Sequence, residues 1–153
     1  MTFLEEIKEM ENNRNSKESI VINDILDYFR VRMESDDFKN TLKNNYIKKA
    51  INNGKHTTTL HIEFWEYRSG CSNTYFSVGG CGRWELDPIN NVYDSYYSYK
   101  GIRLCDIHKN ICSKLSTMLK DKIKELGLEI VSSARKDNDY RFGYYNEDIE
   151  IKW

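Results

Sequence analysis

Apolar residues recur at helical spacing through the first third of the chain and then switch to strict alternation. Thr2 followed by Glu5 makes a capping box that starts a short helix over 3–10. The polar stretch 11–15 predicts a turn, and Ile22, Ile25, Leu26, Phe29 and Met33 mark a second helix. Ser35 caps a third, whose stripe is Phe38, Leu42, Tyr46, Ile47 and Ala50, with Gly54 placed to end it. From Thr57 the period becomes two. Leu60, Ile62 and Phe64 alternate with His61, Glu63, Trp65 and Tyr67, as in a half-buried strand.

A turn over 69–72 leads into a strand at 74–78, and 83–86 either extends it past a bulge or pairs with it, since Gly79, Gly80 and Gly82 permit both. Residues 89–101 read as a tyrosine-dense loop, 104–126 as the longest helix, stopped by Gly127, and 128–133 as a strand. Ile149, Ile151 and Trp153 mark a last strand. The order α-α-α-β-β-(β)-α-β-β predicts an α+β fold, with an antiparallel sheet of four to five strands and helices on one face. The chain reads as a single domain over 1–153, with a helical part at 1–54 and a β-β-α-β-β part at 55–153.

Composition adjusts this picture in one respect. Only 39% of residues are hydrophobic and 31% are charged, but aromatics reach 13%, and large rings fill a core with few residues. The net charge of -1 is spread evenly when counted over 1–54, 55–101 and 102–153. On that count no third of the chain has the basic excess that holds a nucleic-acid backbone, so nucleic acid is not expected as a direct ligand. The glutamates within 1–11 do not suit a secretory signal, and no apolar run approaches the ~18 residues of a membrane span. A cytoplasmic location with reduced cysteines is therefore expected, and no membrane partner.

The sharpest candidate chemistry is aromatic. Half of the Phe, Trp and Tyr residues fall within 55–101. If Leu60, Ile62 and Phe64 face the helices, with Phe76, Val78, Trp84 and Leu86 also inward, the opposite face presents Trp65, Tyr67, Tyr75 and Arg83. The adjoining loop adds Tyr93, Tyr96, Tyr97 and Tyr99. Tyrosine and tryptophan supply contact area at low entropic cost, so this set is the predicted binding surface for a larger protein. Two other readings of the same surface are a nucleotide-like small-ligand site, with or without minor enzymatic activity, and a homo-oligomer interface. Alternatively, the aromatics simply pack on one another.

Other constellations are weaker. Cys105, His108 and Cys112 share one side of the long helix, but Ile111, Leu115 and Leu119 lie there too, so the expected reading is core, with no metal and no cofactor. His61 and Glu63 share a strand face and could exchange protons, although solvated strands look the same. Cys81 within Gly-Gly-Cys-Gly has the look of an exposed thiol beside free amides. No nucleotide-loop or hydrolase motif occurs, so a non-enzyme is expected.

The C-terminal third, a lysine-rich helix followed by Leu126-Gly127-Leu128-Glu129-Ile130-Val131 and closing on Ile149-Glu150-Ile151-Lys152-Trp153, resembles small bacteriophage-encoded α+β proteins. The resemblance implies a mobile-element accessory protein. Many of these are inhibitors of host defence, anti-CRISPR proteins among them, which occupy a surface of a larger host protein.

Overall fold

A computed structural model describes residues 1–66, 74–86, 98–135 and 144–153. The first element, α1 (Phe3–Met33), is one helix of 31 residues. The capping box at Thr2 is present, with Glu5 N donating to Thr2 Oγ1 at 3.1 Å and Thr2 N donating to Glu5 at 2.7 Å. The turn expected at 11–15 is absent. That stretch holds no proline or glycine, asparagine costs a helix only tenths of a kcal/mol, and an Arg14–Glu18 pair at 3.3 Å spans one turn there. Val21, Ile25 and Phe29 are fully buried, whereas residues 3–17 are all exposed; Arg14 still reaches Asp106 at 3.9 Å, so the arm that extends beyond the body is the first three turns, residues 3–13.

Ser35 caps α2 (Asp36–Thr41), accepting from Phe38 N at 3.3 Å. The helix continues through a π-helical turn (Leu42–Ile47) into α3 (Lys48–Asn52). Gly54, at φ +73°, ends it in the left-handed conformation that its place in the sequence predicts.

Strands β1 (Thr57–Trp65), β2 (Tyr75–Val78) and β3 (Gly82–Glu85) form an antiparallel meander. The 83–86 segment therefore pairs with β2 rather than extending it. Gly80, in the connecting turn, and Gly82, the first residue of β3, take positive φ. Next comes a small ribbon of β4 (Ser98–Tyr99) and β5 (Ile102–Arg103), where a long loop was expected to run on to residue 101. Its two-residue turn puts Lys100 and Gly101 at φ +51° and +80°, the pattern that matches the twist of a hairpin. α4 (Leu104–Glu125), β6 (Glu129–Arg135) and β7 (Tyr145–Lys152) complete the chain.

The main sheet has the order β3-β2-β1-β7-β6 and is antiparallel throughout. α1 packs on α4, and α4 packs on β1, β2, β6 and β7, so the helices cover one face as expected. Leu60, Ile62, Phe64, Phe76, Ile149 and Ile151 point into that layer and are sealed from solvent, with the Phe64 and Phe76 rings 4.7 Å apart. A bulge between Ile130 and Ser132 interrupts β6, the edge strand, and exposed charges at Glu129 and Arg135 further discourage edge pairing. Among the described residues no helix is long and apolar enough to cross a membrane.

Candidate functional site: the outer face of the sheet

The inward turn of Leu60, Ile62 and Phe64 leaves their odd-numbered neighbours on the opposite side, and among the described residues no element packs over it. Strand register decides which side chains meet there. Trp65 opposes Tyr75 on β2, and on the β7 side it stands edge-on to Tyr144, ring centroids 5.5 Å apart. Asn146 donates to the Tyr144 hydroxyl at 3.1 Å, which steadies that ring. The Arg83 guanidinium lies 3.9 Å from the centre of the Tyr75 ring and also meets Glu85 at 3.3 Å. Burial, and then the nearby Glu63 carboxylate, push the Tyr75 hydroxyl above its usual range, so it stays a donor at any physiological pH.

Below this cluster, His61 Nδ1 meets Asp148 Oδ1 at 2.5 Å across the β1–β7 register. The acid/base partner suggested for His61 by sequence was Glu63. The pleat instead directs Glu63 toward the Tyr75 hydroxyl, 3.5 Å away, and gives His61 to the opposite strand. The His61 side chain is 55% exposed, a setting in which such pairs contribute about 0–1 kcal/mol.

Trp65, Tyr75 and Arg83 thus share one surface. Tyr99 does not join them. Its ring packs at 5.3 Å on Trp84, which follows the inward register of Phe76, and its hydroxyl donates to Asp24 of α1 at 3.2 Å. The β4–β5 ribbon carries it to the helical side. Tyr67, Tyr93, Tyr96 and Tyr97 lie outside the described residues, as does Cys71.

The other sequence candidates are placed as follows. Cys81 is buried, not exposed, and burial pushes its thiol up to about 12, so it carries almost no thiolate at neutral pH. Cys112 is sealed in the core and Cys105 is half-buried. His108 stacks on Phe64 at 4.8 Å, with Nδ1 2.7 Å from the Cys105 carbonyl, the core-histidine arrangement. No group of three metal-binding side chains forms among the described residues.

One internal cluster escaped the sequence reading. Glu147 points inward from β7, and one of its oxygens accepts from Ser133 at 2.7 Å, Ser116 at 2.9 Å and Lys120 at 3.2 Å. The other accepts from the Tyr145 hydroxyl at 3.0 Å. Burial by itself would raise this carboxyl, but the four donors outweigh it and hold it below the usual range. A charged residue at an inward position hid the period of β7, whose inward set is Tyr145, Glu147, Ile149 and Ile151. Tyr144 and Asn146 were missed for the same reason.

Fold and surface together define an α+β protein whose antiparallel sheet has helices on one face and, on the other, which no described element covers, ordered aromatic and charged side chains. No protein-family model, curated protein or solved structure matches the chain.

Proposed function

We propose that this chain is a non-catalytic protein-binding module that docks a larger protein on the outer face of its sheet. It would act by occupancy, as an inhibitor of a host defence protein does. The observation that carries this reading is the pre-ordered cluster of Trp65, Tyr144, Tyr75 and Arg83 on a face that no described element covers. Tryptophan, tyrosine and arginine dominate binding energy at protein interfaces, and side chains already held by neighbours lose little entropy on docking. Among the described residues around them the carboxylates Glu63, Glu85, Asp148 and Glu150 outnumber the cations Arg83 and Lys152, so the face suits a partner with basic residues at its rim.

The test is affinity capture from a bacterial lysate with wild-type protein, Trp65→Ala, Arg83→Ala and the control Lys124→Ala on the far side of α4. Trp65→Ala is expected to weaken the captured complex by roughly 2 kcal/mol, about thirtyfold, without a matching loss of thermal stability. Lys124→Ala should capture normally. Equal capture by all four proteins, or a Trp65→Ala protein that no longer folds, would remove the surface from consideration.

A further inference from the structure

From Phe38 to Ile62 the chain contains no acidic residue, and it carries Lys39, Lys43, Lys48, Lys49 and Lys55. All five lysines are exposed, and among the described residues none of them pairs with a carboxylate. Averaging over 1–54 hid this patch, because the net negative charge of residues 1–37 cancels its lysines in the count.

The helical run from α2 to α3 also arranges its amides. Asn40-Thr41, Asn44-Asn45, Lys48-Lys49 and Asn52-Asn53 recur every four residues. In a straight α-helix a four-residue step over-rotates by about 40°, and such pairs spiral away from one another. The π-helical turn over Leu42–Ile47 takes more residues per revolution, which cancels much of that drift. Two adjoining open depressions result, with Asn44 and Asn45 lining both. One, of about 610 Å³, is completed by Lys48, Lys49, Asn52 and Asn53. The other, of about 660 Å³, runs past Asn40 to Arg32 and the Gly80–Gly82 turn, with Asp37 the one carboxylate on its wall. Arg32 is held at that end by the Tyr28 ring, 4.6 Å away, and by the Cys81 carbonyl at 3.2 Å.

We infer that this trough binds the phosphate backbone of a nucleic-acid duplex without regard to sequence. Lysine, arginine and asparagine are the side chains that contact phosphates, and the cations here are not neutralised by the protein itself. An acidic protein is the poorer fit. Protein interfaces are depleted in lysine and anchored by buried aromatics, whereas the large apolar side chains exposed along the trough are two aliphatic ones, Val31 and Ile51. Among the described residues no exposed Phe, Trp or Tyr adjoins the trough, which also argues for a duplex over stacked single strands. DNA and RNA offer the same phosphodiester chemistry. This inference does not depend on the sheet face.

Fluorescence anisotropy with labelled DNA and RNA duplexes of about two helical turns, from about 50 to about 200 mM salt, tests it. Binding is expected to weaken steeply with salt. Lys48→Gln/Lys49→Gln should weaken it by roughly tenfold at the low-salt end and reduce the log–log salt slope by nearly 2. Lys39→Gln/Lys43→Gln repeats the test on the same run, and Lys114→Gln/Lys124→Gln on α4 should change neither quantity. Preference for one of the two duplexes identifies the source of the backbone. The inference is overturned by failure to bind either duplex at low salt, by an equal effect of the α4 pair, or by polyglutamate of matched charge displacing the duplex as well as unlabelled duplex does.

Discussion

Glu147 shows how much one residue can depend on its surroundings. A buried carboxylate that lost its donors would cost several kcal/mol, but here three hydroxyls and the Lys120 ammonium satisfy it. Its folded-state affinity for a proton is below that of the unfolded chain. The stability it contributes is therefore present at neutral pH and is lost as pH falls from about 4.5 through the lower folded value. Glu147→Gln is expected to reduce stability by about 1–3 kcal/mol at pH 7 and to flatten the acid limb of the stability–pH profile, measured by urea unfolding from pH 7 down to about pH 3. At the same scale, Tyr99 belongs to the expected binding set through its place in the tyrosine-dense loop beside the sheet. Its true environment, against Trp84 and Asp24, depends on a ribbon turn that only the hairpin geometry of Lys100 and Gly101 produces.

At the scale of elements, α1 divides into two halves with different tasks. Residues from Val21 to Met33 bury their apolar stripe against the rest of the core. Residues 3–17 are helical because they extend a helix already nucleated by that packing, with a capping box and the Arg14–Glu18 pair in support. Removing residues 1–13 is therefore expected to change unfolding free energy by less than about 1 kcal/mol, whereas Ile25→Ala, at a fully buried site, should cost about 2–5 kcal/mol. Denaturant titration followed by circular dichroism distinguishes the two. The same logic explains why periodicity found most elements. The stripes of α2, α4 and β1 are unbroken by charge, so their faces were legible, but β7 was hidden by Glu147 and the continuity of α1 by the polar residues at 11–15.

The whole molecule keeps its charges in separate places. The α1 arm begins acidic, the helical run through α3 is basic, and the outer sheet face is mildly acidic around its aromatics. A net charge of -1 is the residue of these opposed surfaces and describes none of them. The two proposed surfaces lie on different layers, so their functions should separate. Trp65→Ala is expected to bind duplex like wild type, and Lys48→Gln/Lys49→Gln to capture the protein partner like wild type. Measuring both activities on both variants checks this, and a variant that loses both would indicate one shared site or a folding defect.

What the order of residues determined by itself is local. It set the change from helical to alternating period at Thr57, the capping at Thr2 and Ser35, the helix stop at Gly54, and the inward direction of Leu60, Ile62 and Phe64, because hydrogen bonding and burial over a few residues decide each of these. Tertiary structure decided which side chains meet across strands and between sheet and helix: Trp65 with Tyr144, His61 with Asp148, Arg83 with Tyr75, and Glu147 with donors from α4, β6 and β7. Those pairings follow from strand order and register, which arise from packing the whole core at once, and no short window of sequence contains them.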